Sequence, residues 1–407
     1  MEEVLRATVE EAVEKRKIQL HQLSQYLWEN PELALQEVKA HNYLTDFLES
    51  EGFSVQRNYL LPTAFRAEYC GNTGQGTTTV AVLCEYDALP DIGHACGHNL
   101  IAECSVAAGI AIKEALCKDP TISGRVVVLG TPAEENCGGK ELLIQRGAFQ
   151  DVHVAMMAHP GKRNGLKYAF NAALQVTVRF SGSTAHAGAS PWEGVNALDA
   201  AVAAYMNISL LRQQLKPSWK VSGVITRAGK YPNVIPEESE LKYHLRAPNF
   251  EELNTLLSKV KACFHSAASA TGCNIEVEMG TTYKHMLNNI TLVQVFQEYA
   301  EQMGIRFEDP DPGVLLTTGA STDAGNVSHT VPCIHPSFEL NSAGRNHTRE
   351  FQRAAGADES QPATRIVAKA LAMTAIRVMR SSQLLTEAST EFQRSEGRVS
   401  NGTVRAT

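Results

Sequence analysis

The chain has 407 residues, 43% of them hydrophobic and 20% charged, which is enough for two globular domains with a substantial core. Its net charge of −7 argues against a nucleic-acid binder, which would carry a basic stripe. Nine cysteines form no close-spaced framework, and no apolar run approaches the roughly 20 residues of a membrane span. A reduced, cytoplasmic protein is therefore expected, with the nucleoplasm as a second location.

Residues 2–29 place Val4, Val9, Val13, Leu20, Leu23 and Leu27 mostly at helical spacing, which predicts one amphipathic helix ending before Pro31. The charged opening of this stretch does not read as a signal peptide. Residues 36–51 repeat the pattern and stop at Gly52. Short β-like runs follow at 54–60, 65–70 and 79–84, with a Gly/Thr-rich turn at 72–79. Residues 100–117 are Ala-rich and helical. The apolar runs 125–130 and 152–158 read as buried strands, with a short helix at 141–149 between them. This alternation predicts an α/β domain with a mainly parallel sheet, whose ligand site lies beyond the carboxyl ends of the strands.

The pattern changes near residue 170. A strand at 172–181, a helix at 194–215, strands at 219–227 and 240–246, a helix at 250–270 and a strand at 274–278 follow in turn. The order β-α-β-β-α-β predicts an α+β ferredoxin-like domain inserted into the first. A helix at 285–303, a final strand at 334–340 and a closing helix at 362–380 complete the chain. The expected division is a discontinuous catalytic domain (1–170 and 284–382), an insert (171–283) and a fraying polar tail (383–407).

Three predicted strand ends carry CEYDALPDIGHACGHNL (84–100), GTPAEE (130–135) and MAHP (157–160). Cys96 and His98 offer a thiolate and an imidazole, both zinc ligands, although a C-x-H alone also reads as two inert structural residues. His94 fits a supporting role rather than a ligand. Adjacent loop carboxylates are usually just solvated. At a strand end, however, Glu134 and Glu135 can point apart, one to bind a metal and one to move a proton from water to a leaving amine. His159 alone reads as a turn residue, and beside these two motifs it reads as a ligand. In the insert, His186 and Asn233 lie in loops and Arg246 at a strand end. Such an Arg is normally solvated, but its fork suits a carboxylate. His347, in NSAGRNHTREF, competes with His335 for a further ligand position.

Together these stretches resemble the aminoacylase/carboxypeptidase/dipeptidase family of co-catalytic dimetal peptidases, in its amidohydrolase branch. The resemblance spans about residues 20–380 through EYDALPDIGHACGHNL, GTPAEE, MMAHP, SGSTAHAGASPWEGVNALDA, PNVIPEESELKYHLRAP, TTGASTDAGNVS and NHTREF, in the family's order. It implies metal ligation by Cys96, His98, Glu135, His159 and His347, with two Zn²⁺ per subunit and Mn²⁺ or Co²⁺ as substitutes. It implies Glu134 as general base and His186 as the lid residue that polarises the scissile carbonyl, often across a dimer interface. Asn233 and Arg246 would hold the substrate carboxylate, and the insert would act as lid and homodimer contact. Two positions depart from the family's pattern: Glu85 replaces the histidine of H-x-D-x-x-P while Asp87 is retained, and Asn99 stands where CGHD is common. The first departure is expected for this branch, where Cys96 joins the ligand set. LPTAFRAEY, LCEYDALPDIGHACGHNLIAE, VVVLGTPAEE and PWEGVNALDAAVAAY are most similar to branch members acting on β-alanyl-lysine. They imply a metallo-dipeptidase for small dipeptides ending in Lys, ornithine or Arg. An N-acyl-amino-acid amidohydrolase would use the same metals and base with an apolar acyl pocket. A silent, metal-stabilised scaffold is disfavoured because base, lid histidine and ligands are all present.

Overall fold

Strand Thr78–Cys84 is buried along its whole length, as a strand covered on both faces must be. Strands Gly124–Gly130 and Val154–Met156 flank it in parallel, and Cys333–Ile334 continues the sheet beyond the latter, again in parallel. Phe65–Cys70 and Ser54–Arg57 complete six strands as an antiparallel edge. The parallel strands end on the same edge, and their carboxyl ends carry the segments after Cys84, Gly130 and Met156. Helix His98–Lys118 is buried almost all round, which its Ala-rich sequence permits, and it packs between Glu2–Lys15 and Gln361–Arg380.

This computed structural model describes residues 2–71, 77–307, 316–317 and 319–400. The chain forms two compact units, one of Met1–Ala169, Met286–Thr318 and Thr322–Thr407, the other of Phe170–His285 and Gly319–Ser321. The second unit holds a four-stranded antiparallel sheet in the order Asn274–Tyr283, Ala172–Ser181, Glu238–Ala247, Lys220–Arg227. Strand alternation sends Leu241, Tyr243 and Leu245 to a core with Val176, Val178 and Phe180. Helices Ala197–Leu211 and Phe250–Thr271 cover that face with Ala200, Ala204, Leu256, Val260 and Phe264. Asn196 and Asn249 cap the two helices by accepting from the amides of Leu198 and Glu252. The arrangement is ferredoxin-like.

Three sequence expectations are corrected. The stretch 2–29 forms two helices, Glu2–Lys15 and Lys17–Glu29, broken at Arg16. No Gly or Pro marks the break. The Arg16 guanidinium is anchored on Glu51 (2.8 Å) and Glu114 (2.9 Å), which sit on two other elements. The run 334–340 is split, because Pro336 has no N–H to donate: Cys333–Ile334 stays in the central sheet and Ser337–Glu339 pairs with His159–Gly161. The tail does not fray from 383: helix Ser382–Ser400 packs back on the first unit, with Ala388 buried. Its Glu391 caps helix Ile290–Gln302, accepting from the Ile290 amide at 2.6 Å and the Thr291 amide at 2.9 Å. Residues 401–407 of the tail and 72–76 of the predicted turn lie outside the described residues.

Candidate metal centre

The turn from Cys96 into helix His98–Lys118 depends on Gly97. Its φ is +80°, and a Cβ there would fall 2.5 Å from Pro160 Cγ. Cys96 therefore ends the loop and His98 opens the helix, both buried. A distant loop is pinned to the same point. The His347 amide donates to Ala95 O at 2.9 Å, and Asn346 Nδ2 donates to Pro160 O at 3.1 Å and Cys96 O at 3.4 Å. Glu134 and Glu135 follow Ala133, a non-glycine residue at φ +63°. His159 begins the short strand His159–Gly161.

The ligand atoms of Cys96, His98 and His159 lie within 4.8 Å of one another. The same spacing holds for Cys96, Glu135 and His347, and for His98, Glu134 and Glu135. Second partners fix how the rings present themselves. His98 Nδ1 lies 3.1 Å from Asp87 Oδ1, so Nδ1–H donates there and Nε2 is the nitrogen left to face a metal. His159 Nδ1 lies 2.8 Å from Pro160 O, which leaves its Nε2 facing Cys96 Sγ at 3.5 Å. His98 Nε2 is fully buried, with Glu85 Oε2 at 3.4 Å and Glu135 Oε1 at 3.9 Å. Glu135 Oε1 also lies 3.3 Å from His347 Nε2. A buried ring nitrogen facing carboxylate oxygens calls for a cation between them, a proton or a metal, and thiol, imidazole and carboxylate together fit a metal.

Burial opposes a charge on His98, but Asp87 and Cys96 outweigh it and hold the ring well above its usual range, so a metal would displace its Nε2 proton. Burial pushes the Cys96 thiol up, with Glu135 adding to the effect, so it is no resting nucleophile; a metal would draw off its proton. Burial, then the charges of Glu135, Glu85 and Asp323, hold the Glu134 carboxyl well above the usual range. Burial opposes ionisation of Glu135 as well, but His347 and His98 outweigh it and pull its carboxyl down. Burial lowers His159 to about 4, favouring the neutral ring a metal needs.

Glu85, in the place of the family's histidine, is engaged by a lysine. Lys140 Nζ donates to Glu85 Oε1 at 2.5 Å and to Asp323 Oδ1 at 2.7 Å, all three side chains fully buried. Asn99 is also explained. Its Nδ2 donates to Ala355 O at 2.9 Å and Ser24 O at 3.4 Å, which an ionised aspartate could not do. His335 packs against the His159 ring at 5.6 Å, in none of the three groups above.

His186, Asn233 and Arg246 lie in the second unit. His186 is exposed, and its Nδ1 accepts from the amides of Gly188 and Ala189, both at 3.1 Å. That fixes the proton on Nε2, leaving an outward N–H donor. The Asn233 carbonyl accepts from the Ala187 amide at 3.0 Å, which brings Asn233 beside His186. Arg246 donates to Ser321 Oγ at 2.8 Å, and its Nη2 lies 3.4 Å from His244 Nδ1. It is half-buried, and its hydrogen-bond partners among the described residues include no carboxylate.

Sequence reasoning missed Lys140, Asp323, Asn346 and Glu37, and it noted Asp87 without its role. Only the 87–98 spacing lay within reach of a local pattern; the other contacts join distant parts of the chain.

Comparison with known proteins places the chain in a family. The profile of peptidase family M20/M25/M40 matches residues 81–373. The chain is 45% identical to a mouse (Mus musculus) Xaa-Arg dipeptidase over 96% of its length and 93% of the relative's. It is 44% identical to a human (Homo sapiens) Xaa-Arg dipeptidase, over 96% and 92% of the two chains. The fold is also similar to a dinuclear metal-binding M20 peptidase from Bacillus subtilis, with TM-score 0.68, 20% identity and 90% and 99% of the two chains covered. With this span of sequence and this cluster at the strand ends, the chain belongs to peptidase family M20/M25/M40.

Proposed function

We propose that the protein is a two-zinc dipeptidase that releases Arg, Lys or ornithine from the C-terminus of small dipeptides such as β-alanyl-lysine. One observation carries the reaction class: thiol, imidazole and carboxylate donors from four chain segments converge on overlapping groups beside the buried Glu134. Overlap through Cys96, His98 and Glu135 favours two neighbouring ions, with His159 and His347 completing the set. Similarity to the mouse and human Xaa-Arg dipeptidases supports the basic C-terminal residue.

Bound zinc would supply Lewis acidity toward the scissile carbonyl and the attacking water. Glu134 takes the proton from that water as the C–O bond forms, then delivers it to the amine nitrogen as the C–N bond breaks. Burial and neighbouring carboxylates favour the protonated form that delivers the proton, and bound cations beside Glu134 would favour the ionised form that takes it. His186 Nε2–H would donate to the developing oxyanion. Arg246 and Asn233 hold the substrate carboxylate. A half-buried guanidinium without an acidic partner favours such an anion.

We assign the protein to a reducing compartment, the cytosol, on its nine cysteines without a framework. A homodimer through the second unit is supported by Val202, Tyr205, Met206 and Leu210, exposed at helical spacing on Ala197–Leu211, and by exposed Val224 on the edge strand. Glu134→Gln tests the mechanism. Zinc content should persist while kcat falls roughly 10²–10⁴-fold. Unchanged turnover would sink the assignment.

A further inference from the structure

We propose that Glu37 is a positioning residue that holds the Glu134–Glu135 pair in place through the main chain of Ala133. It takes its activity readout, and only that, from the dipeptidase reading above. Glu37 precedes helix Val38–Ser50, 96 residues before Ala133, and is fully buried. Its Oε1 accepts from the Ala133 amide at 2.9 Å, and its Oε2 accepts from Thr63 Oγ1 at 2.7 Å.

Ala133 needs such a grip. It lies at φ +63°, a region an L-residue keeps only when its surroundings over-determine it. Its carbonyl is held from the other side by the amides of Cys137 (3.2 Å) and Gly139 (3.3 Å). Gly139 is obligatory there, because a Cβ on it would meet Pro132 O at 1.7 Å. With amide and carbonyl both engaged, the two peptide planes that flank Ala133 are each held, which sets the course of the chain into Glu134 and Glu135. Thr63 is itself anchored. Its carbonyl accepts from Tyr86 Oη at 2.6 Å and from the His41 ring at 2.9 Å. Tyr86 sits between Glu85 and Asp87, so this chain of contacts ties both carboxylate-bearing strand ends to one fixed point.

Without an acceptor for its amide, Ala133 is free to relax toward the right-handed region and carry Glu134 and Glu135 out of line. The role calls for an acceptor, not a charge, so glutamine should serve. Its Oε1 would accept from Ala133 while its Nε2 donates to Thr63 Oγ1.

The test uses the full-length, zinc-loaded protein as wild type, Glu37→Ala and Glu37→Gln. Amide hydrogen exchange is followed in peptides covering 131–137, together with bound zinc and the kcat and KM for β-alanyl-lysine. For Glu37→Ala, exchange in 131–137 should speed up about tenfold or more while distant segments stay as in wild type. Bound zinc should be retained. The kcat should fall about 10–100-fold with KM within about twofold, as expected for misplaced rather than missing groups. Glu37→Gln should restore both exchange and kcat. Unchanged exchange in 131–137 overturns the proposal, and so does a Gln variant as impaired as the Ala variant. If Glu37→Ala does not fold, Glu37→Met, which keeps the side-chain volume but offers Ala133 no acceptor oxygen, must show the same local exchange increase, and its absence counts against the proposal equally. Should the wild type hydrolyse no dipeptide, the exchange arm still decides the role of Glu37, and the dipeptidase reading fails separately.

Discussion

Asp87 joins His98 to Glu135: its Oδ1 lies 3.1 Å from His98 Nδ1, and its Oδ2 accepts from the Glu135 amide at 3.0 Å. One buried carboxylate thus sets the tautomer of an imidazole and the backbone of a neighbouring acid. An amide side chain has a single acceptor oxygen and cannot serve both donors. Asp87→Asn should therefore weaken zinc binding by roughly 10–100-fold, read by competition with a chelator. Unaltered affinity would mean that the contact does not orient a ligand.

Lys140 is the internal counter-charge for Glu85 and Asp323. Lys140→Met would leave two buried carboxylates without a cation, a loss of about 3–5 kcal/mol in urea unfolding. Adding Glu85→Gln to that variant should recover part of the loss, since one of the stranded charges is gone. No recovery in the double variant would show that the two side chains are not energetically coupled.

Glu103, on the same helix as His98, gives a pH signature. Burial, opposed by hydrogen bonds from Ser24 and Gln361, raises its carboxyl from 4.5 to about 7. The folded state therefore binds this proton more tightly than the unfolded chain. The contribution to stability is complete below about pH 4.5 and is lost as pH rises through about 7. Wild type should lose up to roughly 3 kcal/mol between pH 5 and pH 8 relative to Glu103→Gln, which cannot ionise. Urea titrations of both proteins at the two pH values check this, and parallel behaviour would contradict it.

The exposed row Val202, Met206 and Leu210 should bury on self-association. Placing a charge there with Leu210→Glu should shift the protein toward monomer in sedimentation equilibrium while leaving its circular dichroism unchanged. A wild type that is monomeric at micromolar concentration would refute the dimer.

Much of the scaffold was legible because its signals are local. Val126–Leu129 is a continuous apolar run ended by Thr131-Pro132, so a buried strand and its end could be read directly. Parallel strands share a carboxyl edge, and that alone places Cys96, Glu135 and His159 near one another. His347 and His335 could not be separated by spacing, since His335 lies within the last apolar run and His347 shortly after it. What separates them is that the His347 amide is tied to Ala95, while His335 is packed in the interior beside His159. The supports of the site were hidden for a related reason. Lys140 meets Asp323 across 183 residues and Glu37 meets Ala133 across 96, and no periodicity encodes such pairings. The helix break at Arg16 is likewise a tertiary effect of two ion pairs on a sequence without a breaker.

The central claim is that the enzyme cleaves dipeptides by recognising a cationic C-terminal residue. The direct measurement compares kcat/KM of the zinc-loaded protein for β-alanyl-lysine and β-alanyl-norleucine, which differ only in the terminal ammonium group, with N-acetyl-lysine alongside. A preference for the lysine dipeptide of about 100-fold or more is expected, abolished by chelation and restored by zinc. Equal rates on the two dipeptides, or hydrolysis of N-acetyl-lysine alone, would contradict it.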